Sequence, residues 1–591
     1  MRALIALSFV TLALAGCASD GDAQDPIMEP TPVPIPQFTY QVPEPDMTLN
    51  LIMEDLMLPG TDGVSLHARI VRPEGDGPYP AIVQHTPYTA PGCATTFYGA
   101  AVEPPVASCA EGRFETEFAR RGYAYVHADL RGTGSSDGCL DLRGQADIAD
   151  IGALADGLAA QPWSNGNVGF IGASYPGSTS HMAALSGSPA VKAVIPVVAS
   201  TSFYHYHHND GVPYNGNHAL GGTNTGYTSE GVTPTFNPLE SLLKLADQPL
   251  CPHAENAVMH GGLDQSGDYY AWWQERNLRP LAETITVPVM MAQGLADWNV
   301  KPDHVASWFN DISSESKVFI GGQWGHAYPA SDDGACPSNA DTDACTVPWD
   351  NWWAYATAFF DTYLKDIDTG MFDGSVAWVQ DNNGTWHRSV DYPLAPADRE
   401  ERVLHLHADG TLQDVAPAGM SAYWYGCPND THNRGTAASI AEDLTVQCDD
   451  RTDQRLAFTS GPMSQDLLVS GVPLLNLTID TEGRNTHLTV VMDILDENGN
   501  VVRSRENYGY LNPLHRNGID APETVPSQLF EVSIDLYTQE DLIKKGERIR
   551  LTIGSDDGGR TIEFYDEGVV ALEGGHIWLP LRPAELQGTR L

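Results

Sequence analysis

Val168-Gly169-Phe170-Ile171-Gly172-Ala173-Ser174-Tyr175-Pro176-Gly177 is an apolar run that ends on a glycine-flanked serine and continues into small residues. Its β-branched and aromatic side chains read as a buried strand, and the small residues after Ser174 read as the start of a helix. A serine at such a junction sits in a strained turn where bulky neighbours would clash, and the helix N-terminus faces the place where an oxyanion forms. The strict Gly-x-Ser-x-Gly spacing is broken, because Pro176 stands where the second glycine is expected and Gly177 comes one residue late. The stretch marks a candidate nucleophile. The rest of the chain must then supply a base and a carboxylate to orient it.

Outward from this strand, short apolar runs recur at 81–84, 123–128, 193–198, 287–292 and 317–320, and apolar residues at helical spacing fill 113–121 and 148–160. Strands alternating with helices predict an α/β fold with a mainly parallel sheet. Residues 201–280 interrupt the alternation with Gly, Asn, His and aromatic residues and with helical stretches at 238–246 and 269–277. They are expected to form a helical cap over the C-terminal sheet edge, where open α/β folds bind ligands. Beyond 372 the pattern becomes apolar–polar alternation at 403–407, 467–469, 474–480, 488–495, 530–536 and 548–553, with turns such as Asn498-Gly499. The last third therefore reads as all-β. The expected division is 1–17 and 18–48 ahead of the body, a catalytic domain at 49–200 and 281–371, the cap between, and a β-domain at 372–591.

The carboxylate and base follow at the ends of later strands. Gly294-Leu295-Ala296-Asp297-Trp298-Asn299-Val300 places Asp297 just past the run at 287–292, and Gly321-Gly322-Gln323-Trp324-Gly325-His326 places His326 past the next. The order Ser174, Asp297, His326 is that of α/β-hydrolases. The oxyanion hole takes the backbone N–H of Tyr175 and a second donor from His85-Thr86-Pro87-Tyr88, where the Tyr88 hydroxyl is the candidate.

Thr86-Pro87-Tyr88, Asp129-Leu130-Arg131-Gly132-Thr133-Gly134-Ser135-Ser136-Asp137-Gly138, Gly172-Ala173-Ser174-Tyr175-Pro176-Gly177, Asp297-Trp298-Asn299-Val300 and Gly325-His326 together resemble the Xaa-Pro dipeptidyl-peptidase and cocaine-esterase-like serine hydrolases. The resemblance runs over nearly the whole body. It implies an α/β-hydrolase fold with a helical cap insertion followed by an all-β jelly-roll domain, which 378–386 and 405–412 also resemble. The late Gly177 is that family's own pattern. The resemblance makes Ser174 the nucleophile, His326 the base, Asp297 the orienter, and Tyr88 with the Tyr175 amide the oxyanion hole. Asp129 and Arg131 are read as structural, pairing near the sheet edge. Trp298 and Asn299 stand where α-amino-acid ester hydrolases carry carboxylates, which disfavours that subgroup. A dipeptidyl-peptidase needs an anion for the substrate amine, and Trp298 and Asp210 are the candidate substrate contacts, with Asp268 and Glu275 as other anions. His205, His207 and His208 resemble a metal site only superficially, since strand alternation would turn His208 away from the other two. Neither a metal nor a cofactor is expected.

The chain has 591 residues, 42% hydrophobic, with 77 acidic against 32 basic residues and a formal charge of −45. That charge repels phosphate backbones, so nucleic acid is not an expected partner. Arg2 and the apolar stretch 3–15 read as a signal peptide, and Leu14-Ala15-Gly16-Cys17 resembles a bacterial lipobox in which Cys17 is lipidated. The proline- and acid-rich segment 20–45 reads as a tether. The expectation is an exported cell-envelope lipoprotein that meets the membrane only through this anchor. Without Cys17, eight of the nine cysteines remain, an even number that suggests disulfides in an oxidising compartment. Proximity favours 93 with 109, 336 with 345, and 427 with 448, which leaves 139 with 251. The expected function is release of N-terminal Xaa-Pro dipeptides through an acyl-enzyme. The alternatives are an acyl esterase or amidase, and a non-catalytic scaffold that binds surface carbohydrate through the β-domain.

Overall fold

The computed structural model describes residues 40–87, 114, 117–214, 267–297, 299–329, 352–427, 454–555, 561 and 565–586. Ten strands form one sheet in the order β1-β2-β4-β3-β5-β6-β9-β10-β11-β12. Their ranges are β1 Leu51–Pro59, β2 Ser65–Pro73, β3 Tyr79–Thr86, β4 Ala124–Asp129, β5 Ser164–Ala173, β6 Val191–Val197, β9 Val289–Gly294, β10 Ser316–Gly322, β11 Gly374–Gln380 and β12 Trp386–Ser389. The numbering leaves β7 (His208–Asn209) and β8 (Val212–Pro213) for a separate two-stranded ribbon. From β4 to β11 the pairs are parallel. All residues of β4, β9 and β10 are buried, which is why these strands read as unbroken apolar runs: helices cover both sheet faces.

Two apolar cores result. On one face Ile148, Ile151, Leu154 and Leu158 of helix Gln145–Ala159 pack with Met182 of helix Tyr175–Leu185 and with Trp308. On the other, Phe114 and Phe118 pack against Trp352, Trp353, Phe359 and Phe360 of helix Trp352–Leu364. Of the helix expected at 113–121, the described part ends in a 3-10 turn at Ala119–Arg121, closed by Gly122 in the left-handed region at φ 84°. The cap falls mostly outside the described residues. Its two ends contribute the short helices Phe203–His207 and Ala271–Gln274.

The α/β sheet extends further than the sequence suggests. β11 adds in parallel to β10 and β12 adds antiparallel to β11, so residues expected in the β-domain close the edge of the catalytic sheet. β11 is exposed at its start and buried over its last four residues, and β12 is only four residues long, so the sequence pattern does not say which sheet they join. The all-β domain starts at Glu400–Leu406 and is organised around the strand Gly568–Leu581, which pairs with Glu400–Leu406, Ala422–Gly426, Leu467–Gly471 and Leu474–Asp480. Alternate residues of Leu474–Asp480 and Arg548–Gly554 are buried in its core, as the period of two predicts.

Polar ties join the two domains. The Thr538 N–H and hydroxyl both donate to Asp303 Oδ1, at 2.9 and 2.8 Å. The Leu542 N–H donates to Asn382 Oδ1 at 2.9 Å. Gln323 Nε2 donates to the carbonyls of Gln380 at 2.7 Å and Glu540 at 3.3 Å. The buried Glu540 carboxylate accepts from Arg582 Nε and from the Ser470 hydroxyl, both at 2.6 Å. Of the nine cysteines, Cys139 and Cys427 lie among the described residues, and both are disulfide-bonded. The expected pairings involve residues outside them. No described helix is long and apolar enough to cross a membrane.

Asp129 and Arg131 do not pair with each other. Asp129 accepts from the Ser135 N–H at 3.0 Å and lies 2.8 Å from His67 Nδ1. Arg131 donates from Nε and Nη2 to the two oxygens of Asp150, at 2.6 and 2.8 Å, and from Nη2 to Thr61 Oγ1 at 2.8 Å. Asp129 is the last residue of β4 whereas Arg131 lies in the turn beyond it, so the two side chains no longer share a strand face and each acquires its own partner. Together these contacts hold the end of β4 and the loop after it to the turn and second strand of the β1–β2 hairpin and to helix Gln145–Ala159.

Candidate active site

β5 ends at Ala173, and Ser174 turns the chain into helix Tyr175–Leu185 with φ 66° and ψ −124°. A non-glycine residue rarely holds positive φ, and where it does the surroundings must impose it. Here the Ser174 N–H donates to the Val197 carbonyl at the end of β6, at 3.0 Å, and the Ser178 N–H returns to the Ser174 carbonyl at 3.0 Å. Pro176 lies in the first helical turn, where no backbone donor is needed. A Cβ on Gly172 would land on Pro176, and one on Gly177 would come within 2.6 Å of the Val197 carbonyl oxygen and 2.9 Å of Ala199 Cβ. The late glycine is thus the position where the new helix crosses closest to β6. A proline in the usual glycine slot shifts the close approach by one residue.

Asp297 follows β9 and is fully buried. Its Oδ1 accepts from the N–H groups of Asn299 at 2.8 Å and Val300 at 3.0 Å, and its Oδ2 lies 2.7 Å from His326 Nδ1. The two loops are tied directly: Leu295 N–H donates to the Gly322 carbonyl at 2.7 Å and Ala296 N–H to the Trp324 carbonyl at 3.1 Å. The His326 side chain, after β10, keeps 20% exposure. With Nδ1–H donated to the carboxylate, Nε2 is left as an acceptor on the open side of the ring. Ser174, Asp297 and His326 therefore stand at the C-terminal ends of β5, β9 and β10, with only β6 between β5 and β9.

Tyr175 is buried, with the Arg143 guanidinium carbon 4.3 Å from its ring centre. Tyr88, Trp298 and Cys17 lie outside the described residues. Asp210 is held elsewhere. At φ 40° in the β7–β8 turn, it lines a cavity of about 480 Å³ at the seam with the all-β domain, together with Arg279, Lys301, Asp303 and Asp535. Among the described residues, neither Ser174, Asp297 nor His326 lines it. Burial, reinforced by the charges of Asp535 and Asp303, pushes the Asp210 carboxyl up to about 7. Burial pushes the Lys301 ammonium down to about 7; it donates to the Tyr206 carbonyl at 3.0 Å and stands 4.1 Å from the Tyr214 ring centre. Asp268 lies 3.6 Å from His515 Nε2, and the exposed Glu275 pairs with Arg276.

His205, His207 and His208 are not on one strand, contrary to the expectation: the first two belong to helix Phe203–His207, whose Ser202 cap competes with strand propensity. His205 Nδ1 lies 2.8 Å from Ser202 Oγ, His207 meets Phe203 edge-on, and His208 stacks on Tyr204. Sequence reasoning missed Arg143 altogether. It sits far from any motif residue it touches, and only the fold brings it against Tyr175, Phe203 and Tyr206.

Residues 62–328 match the family model of the X-Pro dipeptidyl-peptidase (S15 family), and residues 374–579 match that of the X-Pro dipeptidyl-peptidase C-terminal non-catalytic domain. The chain is 23% identical over 550 residues to a putative Xaa-Pro dipeptidyl-peptidase of Bacillus cereus, covering 88% of each. It is also 23% identical over 552 residues to the cocaine esterase of a Rhodococcus species, covering 86% of this chain and 91% of that one. Among solved structures, an α-amino acid ester hydrolase superposes with a TM-score of 0.67 at 21% identity, over 95% of this chain and all of the other. The second model begins at β11, which the present sheet places in the catalytic domain.

Proposed function

This chain belongs to the S15 family of X-Pro dipeptidyl-peptidase-like serine hydrolases, and from that premise we propose that Ser174, His326 and Asp297 form an acyl-enzyme and hydrolyse it. The Ser174 hydroxyl attacks the scissile carbonyl while His326 Nε2 takes its proton. The histidine then returns the proton to the leaving amine or alcohol, and a water activated in the same way releases the acyl group. Asp297 Oδ2 holds the imidazole in the tautomer this requires. The Tyr175 N–H stabilises the oxyanion, with the Tyr88 hydroxyl as second donor. The observation that carries the reading is the 2.7 Å contact between His326 and a buried carboxylate whose other oxygen is already saturated by two backbone donors.

The preferred substrate is a peptide with proline second from its N-terminus. The B. cereus relative favours this reading, whereas the Rhodococcus relative favours a small acyl ester. The soluble body lacking residues up to Cys17 should hydrolyse Gly-Pro-p-nitroanilide faster than p-nitrophenyl butyrate, with both activities abolished by Ser174→Ala. Cleavage of the ester alone would replace the peptidase reading with the esterase one. Full activity in the alanine variant would overturn the nucleophile assignment.

The chain is proposed to be exported and anchored through a lipid on Cys17. The lipobox-like Leu14-Ala15-Gly16-Cys17 and the bonded state of Cys139 and Cys427 support this. Cys17→Ser should move the enzyme from the membrane fraction to the soluble one, and unchanged membrane association would refute the anchor.

A further inference from the structure

Arg143 is only 6% exposed and holds φ 68°. Its backbone N–H donates to Asp147 Oδ2 at 2.8 Å, which fixes the main chain. The guanidinium carbon lies 4.3, 5.0 and 5.2 Å from the ring centres of Tyr175, Phe203 and Tyr206. Ring faces attract a cation but offer no lone pair to its N–H groups. Neither Nε nor Nη1 has a hydrogen-bond partner among the described residues. The neighbouring Asp141 is engaged by Arg276 Nη2 at 3.0 Å and by the Ala146 N–H at 2.8 Å. A buried guanidinium with donors left over is costly unless an acceptor reaches it from outside.

Its position says which acceptor. Tyr175 is the residue after Ser174, and the Tyr206 hydroxyl donates to Asn299 Oδ1 at 2.9 Å, while the Asn299 N–H donates to Asp297 Oδ1. Two of the three rings around the guanidinium thus belong to, or bond directly to, the loops that carry the nucleophile and its orienting carboxylate. Arg143 therefore lies beside the loops at which an acyl group on Ser174 would be held.

We propose that Arg143 is a specificity-determining residue that binds a second oxygen of the substrate's acyl portion, the amide carbonyl oxygen one residue beyond the scissile bond. In an Xaa-Pro acyl group this is the Xaa carbonyl. The inference rests on Ser174 as nucleophile but requires no particular leaving group.

The test uses three p-nitrophenyl esters with one leaving group: the butyrate has no second acceptor, the N-acetylglycinate has an amide oxygen, and the hydrogen glutarate has a carboxylate. In the full chain, Arg143→Met should lower kcat/KM for the acetylglycinate by about 10- to 100-fold, the range for a hydrogen bond to a charged group. The butyrate should change by less than about threefold. Arg143→Lys keeps the charge without the planar fork, and should show a smaller fall on the acetylglycinate alone. It also serves if the methionine variant does not fold. An equal fall on all three esters, or no change in their ratios, would overturn the proposal in favour of a structural role. A loss confined to the glutarate would overturn the amide assignment. Failure of the nucleophile assignment would be seen separately, as turnover of the esters by Ser174→Ala.

Discussion

Asp297→Asn isolates what the buried carboxylate contributes. The two backbone donors to Oδ1, from Asn299 and Val300, select the side-chain oxygen of the replacement and turn its NH2 towards His326. His326 Nδ1 then accepts, the proton moves to Nε2, and the ring can no longer take a proton from Ser174. The lost charge adds to this. With Oδ2 and Nδ1 2.7 Å apart, the charge centres are about 4 Å apart, and an effective dielectric of ~20 gives ~4 kcal/mol of imidazolium stabilisation. That is about three powers of ten in rate. The expected kcat for p-nitrophenyl butyrate is therefore about 10³- to 10⁴-fold below the parent, with KM changed by less than about threefold. Both acceptor contacts of the loop survive, so far-UV circular dichroism and thermal midpoint should be close to the parent's. A folded Asp297→Asn enzyme with kcat within tenfold of the parent would refute the orienting role.

Two further outcomes follow from buried charges away from the triad. Arg131→Met leaves the Asp150 carboxylate, 1% exposed, without its bidentate partner, and should lower unfolding stability by about 3–5 kcal/mol; a urea midpoint unchanged from the parent would show the pair to be dispensable. Asp210 is held up at about 7 against 3.8 for the free group, so the folded protein retains a proton that the unfolded chain releases, and stability falls as pH rises through that window. Asp210→Asn should thus raise the thermal midpoint at pH 8 and change it little at pH 4; equal shifts at both would contradict the burial of the acid.

Much of the catalytic domain was legible because its strands are buried on both faces and read as continuous apolar runs. Residues 81–84, 168–171 and 287–292 each fall within or overlap an observed strand. The order Ser174, Asp297, His326 was equally legible, since each ends a strand and each is punctuated by glycine. What the sequence hid depends on the third dimension. β11 and β12 lie next to the all-β domain in sequence, and only the pairing of β11 to β10 and of β12 to β11 assigns them to the catalytic sheet. Asp210 has the right chemistry for an amine but the β7–β8 turn carries it to the domain seam. Arg143 belongs to no motif, and its aromatic cage is assembled from two separate helices, Tyr175–Leu185 and Phe203–His207.

The hydrogen bond from Gln323 to the Glu540 carbonyl gives the all-β domain a part in the geometry of the reaction. Gln323 stands three residues before His326, so the loop carrying that imidazole is braced by a carbonyl from a domain whose family description reads non-catalytic. Thr538 braces Asp303 in the same way, six residues after Asp297. Exchanging the C-terminal domain between relatives therefore alters the mounting of the base and its orienter, and a chimaera keeps its rate only if the segment 538–542 travels with its partners. Substitutions in that buried segment are a route to tuning turnover from outside the catalytic domain.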